Sequence, residues 1–230
     1  MVSAIIVAAG KGQRMHAGTR KQYLTIAGRP VLGHTLKKFD VCDDIDSIYL
    51  VVPKEDFDYC REKVLSPANL RKPTHLVAGG KQRQNSVFKG LEALEQKRGL
   101  VVVHDGVRPL IVPQQISSCI AQAQESGACI LGIPAFDTIK RVDDANTIAA
   151  TINRACLWLA QTPQVFDYKI LHRAHQKAIT DGFIGTDDAL LVERSGYRVK
   201  IISGSKTNLK ITTTEDLAIA QALLEDRCGS

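Results

Sequence analysis

The 230-residue chain alternates between apolar runs of strand length and segments with helical spacing, and this rhythm constrains its fold more than any other feature. The runs are SAIIVAA (3–9), SIYLVV (47–52), THLVA (74–78), LVVVH (100–104), ACILGI (128–133) and YRVKII (197–202). Between them VLGHTLKKF, QNSVFKGLEALEQ and QQISSCIAQAQES bring apolar residues back at helical intervals. Strands apolar on both faces, joined by amphipathic crossovers, predict an α/β fold with a mostly parallel sheet flanked by helices. The length fits a single domain, 1–230, with no internal repeat, linker or low-complexity segment.

In such sheets the ligand crevice lies beyond the carboxyl ends of the strands. The residues there are AAGKGQRM after the first run, VPK after the second, GGKQRQNS after the third and DGVRP after the fourth. Three of these four loops combine glycine with lysine or arginine, which is the chemistry of an anion site.

Composition narrows the ligand. With 44% hydrophobic and 23% charged residues the chain is a folding one. The opening apolar stretch has no cationic segment before it and is interrupted by Gly10 and Lys11, so it does not read as a signal peptide. No run approaches the roughly 18 residues needed to span a bilayer, and a cytoplasmic protein without a membrane partner is expected. Six cysteines lie scattered without a CxxC pair, as expected of reduced, structural thiols rather than a zinc site. The net charge of +6 admits a polyanion. Its cations cluster beside glycines, and aromatics are only 5%, so a small phosphorylated ligand fits better than a nucleic acid.

The first loop sets Gly10 and Gly12 beside Lys11, Arg14 and Lys21. A dinucleotide fingerprint would want a third glycine where Met15 stands, and the GK[ST] of a P-loop is absent. GGKQRQNSV repeats the logic with Gly80, Arg83 and Ser86, and HDGVRP puts Asp105 and Arg108 at a third strand end. Asp105 is a candidate for a divalent metal or a ligand hydroxyl, with an Asp–Arg ion pair as the competing reading. His34 and His104 read as packed or turn-satisfying histidines, and Trp158 and Phe166 as packing residues. His16 and Tyr23 have no assigned role. Residues 137–154, DTIKRVDDANTIAATINR, form two β-prone segments around a turn-like DDAN, the pattern of a hairpin arm stabilised by a second subunit or of a surface loop. TTTEDLAIAQALL begins a helix with Thr213 or Thr214 as N-cap.

AAGKGQRM with RKQY (20–23), GGKQRQNSV, HDGVRP, DTIKR, INRACLWLAQTPQVF (152–166), GTDDA (185–189) and NLKIT (208–212) together resemble the 2-C-methyl-D-erythritol 4-phosphate cytidylyltransferases of the non-mevalonate isoprenoid pathway. The match runs in order along essentially the whole chain. It implies a Rossmann-like nucleotidyltransferase fold, a homodimer joined through a β-arm at about 137–154, and transfer of CMP from CTP to the methylerythritol phosphate with Mg²⁺. By the same resemblance Ala8, Ala9, Gly10 and Gly12 match the CTP loop, and Arg14 and Lys21 the cations around the α-phosphate. Gly80, Arg83 and Ser86 match cytosine and ribose contacts. Asp105, Gly106, Arg108, Thr162 and Lys210 fall where the sugar phosphate binds, while Thr138 and Arg154 match residues reaching that site from the partner's arm. Arg154 and Lys210 are expected to hold the attacking phosphate. Gly106, Val107 and Asn153 depart from the family's usual residues, which bears on the fit around the sugar. Two alternatives remain at this point: a cytidylyltransferase for another polyol phosphate such as ribitol 5-phosphate, and a nucleotide-binding module without catalysis.

Overall fold

The computed structural model describes residues 1–10 and 20–228. The chain opens with β1 (Val2–Val7), then a 3₁₀ turn (Lys21–Tyr23), the short strands β2 (Thr25–Ile26) and β3 (Arg29–Pro30), and α1 (Val31–Asp40). After β4 (Ser47–Val52) come a 3₁₀ turn (Lys54–Asp56) and a winding of α2 (Phe57–Tyr59), a π turn (Cys60–Leu65) and α3 (Ser66–Ala68). The middle of the chain forms β5 (Thr74–Ala78), α4 (Arg83–Glu92), β6 (Leu100–Asp105), α5 (Pro113–Ser126) and β7 (Ala128–Pro134). It continues through β8 (Ile139–Val142), β9 (Ile148–Ile152), a 3₁₀ turn (Arg154–Cys156) and β10 (Trp158–Asp167). The last elements are α6 (Tyr168–Thr180), α7 (Asp188–Arg194), β11 (Lys200–Ser203) and α8 (Thr214–Cys228).

Seven strands make one sheet in the order β11-β7-β10-β6-β1-β4-β5, in which β10 alone runs antiparallel to its neighbours. Strand periodicity explains why the runs had to be apolar throughout. Ala4 and Ile6 of β1, Ile48, Leu50 and Val52 of β4 and Val102 of β6 share one apolar cluster with Leu36 and Phe39 of α1 and Ile116 and Ile120 of α5. The intervening Ile5, Tyr49, Val51, Val101 and Val103 face the other side, against Val87 and Leu91 of α4, Leu171 of α6 and Leu191 of α7.

From β1 the chain moves outward to β4 and β5, then returns to lay β6 on the opposite side of β1. The strand order therefore reverses between β1 and β6, the place where sheets of this kind open a ligand crevice. A third apolar cluster, with Ile26, Val31, Val107, Leu110, Ile211 and Ala220, packs α8 near that end. Thr213 caps α8 as expected, its Oγ1 accepting from Asp216 N–H while Asp216 Oδ2 accepts from Thr213 N–H, a reciprocal pair.

The hairpin expected over 137–154 is present as β8 and β9, turning through Asn146 at φ 59°. The strand β10 has no apolar run to announce it. Its first half reads WLAQTP, and Pro163 lies inside the register shift between Ala160 and Gln164 where pairing with β7 is interrupted. Phe166 is fully buried in the core, whereas Trp158 stays partly exposed at the strand's start. Among the described residues no helix is long and apolar enough to cross a membrane, and Cys42, Cys60, Cys119, Cys129 and Cys156 are free thiols.

Candidate active site

Two cavities open at the carboxyl edge of the sheet. The larger, about 580 Å³, is lined by Ala8, Ala9 and Gly10 after β1, by Gly80 to Arg83 and Ser86 at the start of α4, and by Lys21, Asp105 and Lys210. A smaller one, about 220 Å³, lies against Arg108, Thr162, Gln164 and Asp187. Arg83, Asp105 and Lys210 line both and form their common wall. The larger volume suits a small organic ligand.

Close backbone approach shapes the larger cavity. Ala8 N–H donates to Val51 O at 2.8 Å and Gly106 N–H to Val7 O at 2.9 Å, extending the sheet past its strands. A Cβ on Gly106 would lie 2.9 Å from Leu32 Cδ1 and 3.0 Å from Ala8 Cβ, so Gly106 serves this packing and lines neither cavity. On the opposite wall Ser86 Oγ accepts from Gly80 N–H and donates to Gln82 O, both at 3.0 Å, fixing the turn that enters α4.

The common wall is a network of charges in which buried carboxylates meet partly exposed cations. Arg83 Nε donates to Asp105 Oδ1 at 3.0 Å, and Arg83 Nη1 donates to Asp188 Oδ2 at 2.6 Å. Lys210 Nζ lies 2.9 Å from Asp105 Oδ2, with Arg108 Nε at 3.6 Å from the same oxygen. Burial pushes the Asp105 carboxyl up, but Arg83, Lys210 and Arg108 together outweigh it and hold the group far below the usual carboxylate range. Burial likewise opposes the Arg83 charge, and Asp188 and Asp105 more than restore it. In the wall common to both cavities Arg83 and Lys210 face the single carboxylate of Asp105, which leaves it net positive, the sign a phosphate requires. Lys210 reaches Asp105 because the next residue is tied down, with Ile211 N–H donating to Val107 O at 2.9 Å.

Behind the wall, Thr162 of β10 accepts from Asp105 N–H at 3.1 Å and donates to His104 Nδ1 at 3.0 Å. The His104 Nε2–H then donates to Arg108 O at 3.2 Å, which fixes a neutral tautomer. Burial dominates and pushes the His104 pKa down to about 3, in keeping with its reading as a turn-satisfying residue. His34 does the same on a smaller scale, bonding Ile26 O at 2.8 Å.

Of the residues read from sequence, Ala8, Ala9, Gly10, Lys21, Gly80, Arg83, Ser86, Asp105, Arg108, Thr162 and Lys210 line the two cavities. Thr138 and Arg154 do not: both are exposed at the base of the hairpin, where Arg154 Nη1 donates to Phe136 O. Lys11, Gly12, Arg14 and His16 lie outside the described residues. Sequence reading missed Asp188, Gln164 and Asn208. Gln164 Oε1 accepts from Asp188 and Ala189 N–H at 3.1 Å each, and Asn208 Nδ2 donates to Thr162 O at 2.8 Å. Each is a buried polar residue, and the motifs INRACLWLAQTPQVF, GTDDA and NLKIT that contain them were the only signal.

Among the described residues the donor set does not fit a metal held by the protein. Both Asp105 oxygens are engaged by cations, and the described residues contain no group of three or more His, Cys, Asp or Glu able to hold an ion.

A glycine-walled, cation-lined crevice at the strand-order reversal of a mostly parallel sheet is the ligand site of a Rossmann-like fold, charged for a phosphorylated ligand. The family model described as 2-C-methyl-D-erythritol 4-phosphate cytidylyltransferase matches residues 2–226. The protein of that name from Syntrophotalea carbinolica is 48% identical over 225 residues, 97% of this chain and 96% of its own. That from Caldanaerobacter subterraneus subsp. tengcongensis is 44% identical over 223 residues, 97% and 98% of the two chains. The crystal structure of 4-diphosphocytidyl-2C-methyl-D-erythritol synthase from Anaerococcus prevotii superimposes with a TM-score of 0.87 at 35% identity, covering 97% of this chain and 96% of that one. The chain belongs to the 2-C-methyl-D-erythritol 4-phosphate cytidylyltransferase family.

Proposed function

We infer that this protein transfers CMP from CTP to 2-C-methyl-D-erythritol 4-phosphate, releasing pyrophosphate and forming 4-diphosphocytidyl-2-C-methyl-D-erythritol for isoprenoid precursor synthesis. The observation that carries the reading is the common wall: Arg83, Asp105 and Lys210 belong to both a nucleotide-sized cavity and a smaller one beside it. Two phosphorylated substrates bound on either side of that wall meet at it. The family's names favour the methylerythritol phosphate over ribitol phosphate as acceptor and a catalyst over a bare nucleotide-binding module.

The attacking phosphate monoester is largely dianionic near neutral pH, so no general base is required. One of its oxygens forms a bond to the α-phosphorus of CTP as the bond from that phosphorus to the bridging oxygen of the β-phosphate breaks, and pyrophosphate leaves. The barrier is electrostatic, because two anions must meet in line, and the remedy is fixed positive charge. Ala8 to Gly10, Gly80 and Ser86 seat the nucleotide, and Lys21, with Arg14, neutralises charge developing on the α-phosphate. Lys210, with Arg154 of the partner subunit, holds the attacking phosphate, while Asp105 and Thr162 orient the sugar. CTP enters as its magnesium complex, a substrate whose metal is held by phosphate oxygens and water.

The arm supports a homodimer. Arg154 and Thr138 stand outside their own cavities, and Phe136, Val142, Ile148, Trp158 and Leu159, all exposed large apolar residues, sit on the hairpin or at its base. We assign one domain over 1–230 and a cytoplasmic location, where CTP is available. Phosphorus NMR of purified protein incubated with Mg²⁺, CTP and methylerythritol phosphate tests the reaction: the coupled pair of resonances of a diphosphate diester should appear together with pyrophosphate. Release of inorganic phosphate alone would contradict it.

A further inference from the structure

The tetrapeptide Arg20–Tyr23 puts Lys21 and Gln22 on the larger cavity, and hydrogen bonds from the side chains of Arg20, Gln22 and Tyr23 fix the segment. Lys21 lines the cavity. Before it, Arg20 Nη2 donates to Glu55 Oε1 at 2.9 Å and Arg20 Nε lies 3.2 Å from Asp56 Oδ2. After it, buried Gln22 donates from Nε2 to Ala8 O at 2.8 Å, and the Tyr23 hydroxyl donates to Asp56 Oδ2 at 2.9 Å. The Cys60 thiol completes the cluster by donating to the Tyr23 oxygen at 3.3 Å.

A single carboxylate oxygen, Asp56 Oδ2, thus accepts from Tyr23 and forms an ion pair with Arg20, residues on either side of Lys21. Arg20, Tyr23 and Asp56 line neither cavity, so the cluster does not serve substrate contact. Asp56 ends the 3₁₀ turn that follows β4, and the Asp56 side chain is only 15% exposed. Burial, Cys60 and Asp56 all push the Tyr23 phenol up, so it stays a donor throughout the neutral range. A lysine ammonium on a four-carbon stem is precise only if its backbone is fixed, because the stem itself has several rotatable bonds.

We propose that Asp56 is a positioning residue for the transfer, clamping Arg20 and Tyr23 so that Lys21 presents its ammonium to the reacting phosphoryl group. This rests on the role given to Lys21 above. Asp56 makes no contact with substrate; its effect passes through the lysine.

The test is a double-mutant cycle in kcat, using Asp56→Ala, Lys21→Ala and the combination, with thermal melts on each protein. Asp56→Ala should lower kcat by roughly ten- to a hundredfold while leaving KM for the methylerythritol phosphate within about twofold. In the Lys21→Ala background the same change should cost less than about twofold, because the group being positioned is gone. Tyr23→Phe, which keeps the ring and removes one tether, should shift kcat the same way by less, and it carries the cycle if Asp56→Ala does not fold. Equal fractional losses in both backgrounds, or an unchanged kcat in Asp56→Ala, would overturn the positioning role alone. A Lys21→Ala protein with full turnover would overturn the role of Lys21 and this one with it.

Discussion

Arg83 Nη1 lies 2.6 Å from Asp188 Oδ2, joining the start of α4 to the start of α7 across 105 residues of sequence. Asp188 is almost fully buried and its other oxygen takes a bond from His175 Nε2 at 3.0 Å. Burial opposes the Asp188 charge, but Arg83 and His175 keep its carboxyl ionised well below the usual range. Removing Asp188 takes from Arg83 one of its two carboxylate partners and leaves buried His175 Nε2 without its acceptor, a loss that costs more than the pair contributes. Asp188→Ala should therefore lower unfolding free energy in urea by about 3 kcal/mol. A change within about 0.5 kcal/mol, the range of ordinary surface substitutions, would mean that the pair has no structural part.

His104 sets the acid side of the stability curve. Its folded pKa is pushed down to about 3, whereas in the unfolded chain a histidine takes its proton near pH 6.5. Below that pH the unfolded state binds a proton that the folded state refuses, so stability falls as pH drops from about 6.5 toward 3. The depressed carboxyls of Asp105 and Asp188 add a loss of the same sign once pH passes below about 4. Urea titrations at a series of pH values should show a loss on the order of a few kcal/mol between pH 6.5 and 4 in the native protein. The slope should be shallower in His104→Gln. Identical slopes would show that His104 takes its proton in the fold as readily as in the unfolded chain.

Magnesium should be needed for turnover without being a resident of the protein. Metal analysis of the desalted protein should find well below one divalent ion per chain, while activity vanishes with chelator and returns with added Mg²⁺. Stoichiometric metal surviving desalting would contradict the engagement of both Asp105 oxygens by cations.

Val142 and Ile148 face each other in the hairpin register, and they are 49% and 59% exposed. An apolar cross-strand pair left in solvent on an arm is a surface that the proposed dimer would cover. The native protein should sediment as a dimer, and V142D/I148D should sediment as a folded monomer with turnover reduced by about 10² or more, since Arg154 of the partner subunit is then lost. A fully active monomer would remove the arm from the account.

Much of this was legible in the sequence, and the exceptions have a common cause. β4 coincides with SIYLVV because a strand covered on both faces is largely apolar, and β5, the half-buried edge strand, coincides with the shorter apolar run of THLVA. Lys21, Arg83, Asp105 and Lys210, far apart in the chain, were readable because each lies in a strand-end loop or a recognisable motif. β10 was not, since WLAQTPQ mixes polar residues and a proline into a strand held by neighbours on both sides. Asp188, Gln164, His175 and Asp56 were missed for a related reason. Each does its work through a partner at least 13 residues away in sequence, as His175 does with Asp188, and local spacing carries no trace of such pairs.

Pyrophosphate release tests the central claim most directly, measured with CTP, ATP, UTP and GTP each paired with 2-C-methyl-D-erythritol 4-phosphate and with ribitol 5-phosphate. The account predicts turnover with CTP and the methylerythritol phosphate, at a kcat/KM well above every other pairing. Release with ribitol 5-phosphate at equal or greater efficiency, or with none of the pairs, would contradict it.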